Sequence, residues 1–240
     1  MSKLLDLFFV GLSFFASGVI ALCSLPFFLY SHQVGQRFQY AFGRCWLHFM
    51  KIHRTVIGLE NLPPNGGAIL APNHESMFDI PLISSLGYDI RWISKKEVGR
   101  IPFIGQAMRA MGCYFVSRDR SQKDLSVMSE VEEGLQKGQS VVIFPEGTRT
   151  RSGELLPFKK GAFRIAQKSG AKLVPIAITG AREIAEPGKP PTRGHQVIGR
   201  IGKPMVIDPK DTLPRAMEEF RERLVNLLSI DRGSAYNPSK

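Results

Sequence analysis

A histidine and an aspartate five residues apart are the first pair in this chain whose types and spacing favour acid–base chemistry. The segment APNHESMFD places His74 ahead of Asp79. On a regular helix the two side chains would point about 140° apart, so they meet only if His74 lies in a loop and Asp79 in the first turn of the following helix. An imidazole whose tautomer is set by a carboxylate is a general base for a hydroxyl proton. Taken alone, the pattern favours a capping segment whose histidine only satisfies hydrogen bonds, because this spacing is common by chance.

A second segment, FPEGTRTRSG, has the residue types of an anion-binding loop. It contains Glu146, Gly147, Thr148 and Arg149. A glycine lets backbone N–H groups approach an anion, and an arginine side chain binds a phosphate through two parallel hydrogen bonds. No GKS or GKT sequence follows, so the segment is not a Walker loop. The segment is thus a candidate phosphate site, although a loop with a glycine and an arginine, taken alone, is more often a plain turn.

Two further basic residues lie at the ends of predicted strands. Arg118 ends the segment GCYFVSR, and Lys95 ends the segment WISK. Ligands of open α/β sheets bind at the carboxyl ends of strands, which favours a binding role for Arg118 and adds Lys95 to the same cluster. The neighbouring Lys96, Arg120 and Lys123 fit a solvated basic rim instead.

The elements that must position these residues alternate between short apolar runs and helical patterns. The apolar runs predict strands at residues 68–72, 90–94, 113–117, 140–144, 173–178 and 197–201. Apolar residues at helical spacing predict helices at residues 122–137, 160–169 and 214–228. This alternation predicts a single α/β domain over residues 59–240, with a largely parallel mixed sheet flanked by helices.

The amino-terminal part of the chain has a different composition. Residues 7–30 are a run of 24 without a charge, which as a helix reaches about 36 Å and covers the hydrocarbon core of a bilayer. Pro26 can kink this helix, so a full span and a segment dipping into one leaflet both stay open. A buried helical hairpin in a soluble protein is the alternative. We expect residues 1–58 to form a helical membrane anchor, hydrophobic at first and then amphipathic.

Basic residues after the uncharged run indicate on which side of the membrane the rest of the chain lies. Arg37, Arg44, Lys51 and Arg54 are interleaved with aromatic residues, as in an amphipathic helix at the level of anionic headgroups. An excess of lysine and arginine after an apolar segment is typical of the cytoplasmic side. The sequence therefore predicts a protein of the cytoplasmic membrane whose α/β domain faces the cytoplasm.

Charge and cysteine content narrow the classes of partner. The 240 residues carry 32 Lys and Arg against 21 Asp and Glu, a net charge of +11, which suits nucleic acid, anionic lipid or a phosphorylated substrate. The chain has no nucleic-acid-binding signature, and its basic residues cluster at strand ends and beside the uncharged run, so we expect no nucleic-acid partner. The three cysteines form no CxxC pair, so we expect a reducing compartment and no zinc site.

Four segments together resemble a known family. NHESMFD, GCYFVSR, FPEGTR and VPIAITG occur in the order and approximate spacing of the glycerolipid acyltransferases. Over residues 62–205 the chain resembles in particular the bacterial-type 1-acyl-sn-glycerol-3-phosphate acyltransferases, also called lysophosphatidate acyltransferases. The resemblance implies acyl transfer from acyl-CoA or acyl-carrier protein to the sn-2 hydroxyl of lysophosphatidate, which gives phosphatidate for phospholipid biosynthesis. An apolar amino-terminal anchor is usual in this family.

The resemblance also implies roles for individual residues. His74 would be the general base and Asp79 its orienting partner. The positions implied to bind the acceptor's glycerol phosphate, or to lie beside it, are Arg118, Glu146, Gly147, Thr148, Arg149 and Lys95. The resemblance implies no metal and no organic cofactor.

The chemistry of the residues supports the same activity. A thioester is already activated, so an enzyme need only deprotonate the acceptor alcohol and stabilise the tetrahedral oxyanion. The chain has no GxSxG motif, which favours direct attack by the acceptor over an acyl-enzyme. Two other interpretations stay open: an acyltransferase for glycerol-3-phosphate or another lysolipid, and a non-catalytic membrane lipid-binding protein.

Overall fold

The computed structural model describes residues 8, 11–12, 32–102, 104–117, 122–186, 189 and 191–232. The strands are β1 (His53–Ile57), β2 (Ala68–Pro72), β3 (Ile90–Lys95), β4 (Tyr114–Val116), β5 (Ser140–Val142), β6 (Lys172–Thr179) and β7 (Gln196–Ile201). The α-helices are α1 (His32–Phe49), α2 (Asp79–Ser84), α3 (Ile104–Ala110), α4 (Gln122–Gln136), α5 (Lys160–Ser169), α6 (Ala181–Ile184) and α7 (Leu213–Arg232). Short 3-10 turns lie at Leu59–Asn61 and Val98–Arg100.

These seven strands form one sheet in the order β1-β7-β6-β2-β5-β3-β4. The strands from β6 to β4 in that order are parallel, whereas β7 is antiparallel to β6 and β1 is parallel to β7. The prediction of an α/β domain with a largely parallel mixed sheet flanked by helices is confirmed. The carboxyl ends of β2, β3 and β5 lie along one side of the sheet, which we call the carboxyl edge.

The predicted elements agree closely with those of the structure. Each predicted strand is present with its ends within two residues of the expected ones, and the helix at residues 160–169 has both expected ends. This helix is followed by Gly170, whose φ of 71° is the left-handed conformation that favours glycine at a helix end. Sequence analysis missed β1, because HRTVI mixes basic with apolar residues and its pairing partner β7 lies far along the chain. Arg54, expected on the amphipathic helix, lies in this strand.

The central strand β2 is buried on both faces of the sheet. Ala68 and Leu70 face one apolar cluster, and Ile69 and Ala71 face the other. A parallel strand covered on both sides has a continuous apolar sequence, which is why AILAP was recognisable. After this strand only Asn73 precedes His74.

On one face of the sheet α1 packs against α2. Trp46 of α1 contacts Phe78, which immediately precedes α2, with ring centroids 5.7 Å apart in an edge-to-face arrangement. Gly43 permits the close approach of the two helices, because a Cβ there would lie 2.5 Å from the backbone oxygen of Pro81. The position of the helix that begins with Asp79 therefore depends on α1.

The opposite face is covered by α4, α5 and α7. Phe163 of α5 and Phe220 of α7 meet edge to face at 5.5 Å. In α7, Phe220, Leu224 and Leu228 are fully buried at four-residue spacing, which is one stripe of a helix. This stripe is the apolar face that the sequence pattern predicts.

Of the uncharged run at residues 7–30, which is the hydrophobic part of the anchor predicted over residues 1–58, all but three residues lie outside the described ranges. Within those ranges, no helix combines the length and the apolar character needed to cross a membrane. The described residues from 32 to 58 include α1 and β1: β1 belongs to the sheet, and Trp46 and Leu47 of α1 belong to the apolar cluster on one of its faces.

Candidate active site

The carboxyl end of β2 leads directly into the histidine of the predicted acid–base pair. His74 lies in the loop after β2, and Asp79 is the first residue of α2. The Nδ1 atom of His74 and the Oδ2 atom of Asp79 are 2.7 Å apart. The same Oδ2 accepts hydrogen bonds from the backbone N–H groups of Glu75 (2.8 Å) and Ser76 (2.9 Å). The two side chains thus meet in the loop-and-helix arrangement that their spacing requires.

Burial distinguishes the two members of this pair. Asp79 is completely buried, and burial raises the pKa of its carboxyl, while the hydrogen bond with His74 opposes that rise. The His74 side chain keeps 16% of its surface exposed. Because Nδ1 is engaged by the carboxylate, Nε2 is the ring nitrogen that can exchange a proton with a ligand.

Asn73 ties the loop of His74 to the neighbouring strand β6. Its Nδ2 atom donates to the backbone oxygen of Ile178 (2.9 Å), and its Oδ1 atom accepts from the N–H of the same residue (2.7 Å). The side-chain amide thus continues the ladder of the sheet for one more step beyond β2. Sequence analysis did not select Asn73, because an asparagine before a loop is common in any protein.

An aromatic ring lies flat against the imidazole of His74. The rings of His74 and Phe144 are stacked, with centroids 3.8 Å apart and planes inclined by 17°. Phe144 is also stacked with Trp92 of β3, with ring centroids 6.2 Å apart and planes inclined by 23°. We expected Phe144 inside a strand, but β5 ends at Val142 and the Phe144 ring faces the histidine. The only available sequence signal was an aromatic residue directly before Pro-Glu-Gly.

The carboxylate of Glu146 holds two segments of backbone together. One oxygen accepts the N–H of His74 and the other accepts the N–H of Leu156, both at 2.8 Å. Burial raises the pKa of the Glu146 carboxyl, and the two backbone hydrogen bonds oppose that rise. The N–H of Thr150 in turn donates to the backbone oxygen of His74 (2.9 Å). The FPEGTRTRSG segment therefore holds the backbone of His74 through both its N–H and its carbonyl group.

The same segment turns sharply at Gly147. Its φ of 69° is left-handed, and a Cβ there would lie 2.8 Å from the Cδ, Cε and Nζ atoms of Lys159. The side chains of Thr148 and Arg149 are exposed. The N–H of Gly147 donates to the backbone oxygen of Phe144 (3.0 Å), and the absent side chain leaves room for Lys159. The turn therefore brings together the cations of Lys159 and Arg149, which are groups that bind a phosphate. Lys159, in the segment PFKKGAF, was not selected from the sequence.

The remaining predicted positions follow β3 and β4. Lys95 is the last residue of β3 and is exposed at the carboxyl edge. It lies opposite Val116 in the register of β3 and β4, so these two strands end side by side. Arg118 lies outside the described residues. In the part of the chain that the structure describes, no group of three His, Cys, Asp or Glu side chains is placed to hold a metal ion.

Comparison with known proteins decides the family. The model of the family described as "Acyltransferase" matches residues 53–179, just over half of the chain. This chain belongs to the acyltransferase family. The matched range includes His74, Asp79 and the FPEGTR segment. The resemblance inferred from the four sequence segments is thereby confirmed.

Several relatives of this family member have the same enzyme name. A 1-acyl-sn-glycerol-3-phosphate acyltransferase of Saccharomyces cerevisiae is 31% identical over 95% of this chain and 76% of its own length. An enzyme of the same name from Helicobacter pylori is 33% identical over 71% of this chain and 73% of its own length. The chain spans 64% of a chloroplastic relative from Brassica napus, at 33% identity, and 56% of one from Arabidopsis thaliana, at 36%.

A solved structure shares the whole fold of this acyltransferase-family chain. The crystal structure of the 1-acyl-sn-glycerophosphate acyltransferase PlsC from Thermotoga maritima superposes with a TM-score of 0.84. The match covers 99% of this chain and 100% of the other, at 24% sequence identity. The arrangement of sheet and helices is therefore common to both proteins.

Proposed function

We propose that this protein transfers an acyl chain from acyl-CoA or acyl-carrier protein to the sn-2 hydroxyl of lysophosphatidate, which yields phosphatidate. The observation that carries the proposal is the His74–Asp79 pair, which is hydrogen-bonded at 2.7 Å beside a glycine turn with two cationic side chains. A general base next to a phosphate site is what acylation of a phosphorylated alcohol requires. The names of the relatives from yeast and Helicobacter pylori support the same substrate.

His74 is the general base of the proposed reaction. Its Nε2 takes the proton of the sn-2 hydroxyl while the alcohol oxygen attacks the thioester carbonyl, so that a C–O bond forms and a tetrahedral oxyanion results. Collapse of this intermediate breaks the C–S bond, and the imidazolium returns the proton to the departing thiolate. Asp79 keeps the other proton on Nδ1 and stabilises the transient imidazolium. The thioester is already activated, so these steps need neither a metal nor an organic cofactor.

The glycine turn is the proposed site for the phosphate of the acceptor. Arg149 and Lys159 supply positive charge, and Gly147 lets Lys159 approach the turn because it has no side chain, with Thr148 beside it. Glu146 acts indirectly, since both of its oxygens are engaged with backbone N–H groups. Lys95, the last residue of β3, and Arg118, which follows β4 in the sequence, complete the proposed binding set.

Membrane attachment completes the proposal. The uncharged run at residues 7–30 anchors the chain in the cytoplasmic membrane, with the α/β domain on its cytoplasmic face. The acceptor is itself a membrane lipid, so an enzyme held at the bilayer surface meets its substrate without extracting it into water.

Acyl transfer by the purified full chain in lipid vesicles tests the proposal. The assay contains labelled oleoyl-CoA or oleoyl-acyl-carrier protein, with lysophosphatidate, glycerol-3-phosphate or lysophosphatidylcholine as the acceptor. We expect phosphatidate from lysophosphatidate only, and a rate lowered by about 10³ or more in His74→Ala. His53→Ala is the matched control, because His53 is exposed on the edge strand β1.

Each other outcome has a definite meaning. Product from a different acceptor keeps the mechanism and replaces lysophosphatidate as the substrate. An unchanged rate in His74→Ala refutes the general-base role. No product with either donor and any acceptor favours the non-catalytic lipid-binding protein.

A further inference from the structure

The connection between β3 and α3 exposes apolar side chains at the carboxyl edge of the sheet. Ile101 is 44% exposed and Ile104 is 37% exposed, and Pro102 between them is also exposed. Lys96 and Arg100, which precede them, are exposed as well. We call these five residues the β3–α3 tip. Large apolar side chains grouped on a surface connection indicate a contact with another molecule or with lipid.

Local hydrogen bonds hold the tip in one conformation. Nη1 and Nη2 of Arg109 both donate to the backbone oxygen of Gly99 at 2.6 Å. The N–H of Gly105 donates to the backbone oxygen of Ile101 at 2.8 Å. Gly105 packs on Gly99 so closely that a Cβ there has no room. Ile101 and Ile104 are therefore exposed on a turn that these hydrogen bonds and the contact between Gly99 and Gly105 hold in place.

The tip and the candidate active site lie at the same edge of the sheet. Trp92 of β3 and Leu70 of β2 both pair with Val142 of β5, so the two outer strands end at the same edge. His74 follows β2 at this edge, and the tip follows β3. The tip also adjoins α1, because Ala107 of α3 packs against Phe38.

The basic and apolar side chains of the tip together indicate which kind of surface it binds. Two apolar side chains beside Lys96 and Arg100, with Glu97 as the acidic neighbour, have the composition of segments that lie at an anionic membrane surface. The amphipathic helix α1 next to it exposes Arg37, Tyr40 and Arg44. A lipid surface is therefore the occupant that matches both elements.

We propose that the β3–α3 tip is a second membrane contact, which inserts Ile101 and Ile104 into an anionic bilayer while Lys96 and Arg100 bind its headgroups. The proposal rests on the proposed function, since a lysolipid acceptor lies in that bilayer. An anchor and a tip give two points of attachment, which orient the carboxyl edge toward the lipid. An acceptor then reaches His74 without leaving the membrane surface.

Tryptophan substitution measures the insertion directly. Full-length Ile101→Trp is mixed with phosphatidylglycerol vesicles whose acyl chains carry bromine, which quenches tryptophan fluorescence on contact. Val206→Trp is the matched control, because Val206 is 58% exposed and its neighbour Met205 bridges to Leu173 at the opposite edge of the sheet. We expect roughly twofold more quenching in Ile101→Trp than in Val206→Trp. Equal quenching in the two variants overturns the proposal.

A rate measurement separates this proposal from the proposed function. In the double variant Ile101→Asn with Ile104→Asn, we expect about a fivefold lower rate on vesicle-bound lysophosphatidate and an unchanged rate on a short-chain, water-soluble one. Val206→Asn should change neither rate. An equal loss of rate on the vesicle-bound and the water-soluble acceptor overturns the membrane contact. So does a variant that binds acyl-carrier protein more weakly while its contact with lipid is unchanged. If the unmodified chain acylates neither acceptor, the proposed function fails, while the quenching result still decides the membrane contact.

Discussion

The side chain and backbone of His74 are held from three directions. Asp79 engages Nδ1 at 2.7 Å, the Phe144 ring lies 3.8 Å from the imidazole, and Glu146 accepts the backbone N–H at 2.8 Å. These contacts fix the tautomer, the plane of the ring and the position of the backbone, respectively. A general base must be held in all three respects to meet a substrate hydroxyl, so removing each contact has a distinct consequence.

Replacing Phe144 tests the stacked ring. In Phe144→Leu the apolar volume is largely kept but the flat partner of the imidazole is lost. An aromatic pair contributes about 0.5–1.5 kcal/mol, so we expect kcat to fall roughly three- to tenfold with an unchanged KM for lysophosphatidate. Phe144→Tyr keeps the ring and should restore most of kcat. Steady-state kinetics of both variants provide the measurement, and equal activity in the two would show that the ring is not needed.

Replacing Glu146 separates its indirect role from that of Arg149. In Glu146→Gln one of the two backbone N–H groups faces an amide NH2 instead of an oxygen, which costs about 1–3 kcal/mol of stability. We expect kcat to fall about tenfold, because His74 is displaced, while KM for lysophosphatidate changes little. Arg149→Ala should instead raise that KM, because it removes a phosphate contact. A rise in KM without a fall in kcat for Glu146→Gln would place its carboxylate at the substrate.

At the scale of the element, the glycine turn of the FPEGTR segment offers a matched pair of variants. Gly147 and Gly170 have φ of 69° and 71°, so alanine at either position costs about 1–2 kcal/mol of backbone energy. Only at Gly147 does the new Cβ meet a neighbour, the Lys159 side chain at 2.8 Å, whereas Gly170 has open space. We therefore expect similar losses in melting temperature, but a raised KM for lysophosphatidate in Gly147→Ala alone. An equal KM in the two variants would exclude Lys159 from the phosphate site.

At the scale of the whole molecule, burial of Asp79 makes the stability of the fold depend on pH, because the buried carboxyl favours its neutral form. Burial raises the pKa of Asp79 above its unfolded value of about 3.9, so the folded state binds the proton more tightly. Protonation of Asp79 therefore adds to the free energy of unfolding at a pH below the unfolded pKa. This contribution is lost as the pH rises through the pKa of the folded state. We expect the melting temperature of the wild type, relative to Asp79→Asn, to fall as the pH rises from about 4 to 7. The exposed Asp208→Asn controls for net charge, and a rising difference would refute the assignment.

How much of the fold could be predicted depended on where each element finds its partners. The strands β2, β5 and β6 are buried on both faces, so their apolar runs identify them without knowledge of their neighbours. β1 was missed because its exposed and half-buried residues carry no such signal, and only pairing with β7 makes it a strand. The membrane segment at residues 7–30 stays a prediction from composition.

The chemistry of the site was readable because some of its partners are close in sequence. The loop and helix turn needed to join His74 to Asp79 follow from their five-residue spacing, and the glycine turn follows from its own residues. The residues that support the site are distant in sequence. The Asn73–His74 loop is contacted by three residues that lie about 70 to 105 positions further along the chain, namely Phe144, Glu146 and Ile178. No local pattern encodes a contact between strands that are distant in sequence. The sequence by itself therefore determined which groups are candidates for the chemistry, and only the sheet order decided what holds them, because neighbouring strands in the sheet are not neighbours in the chain.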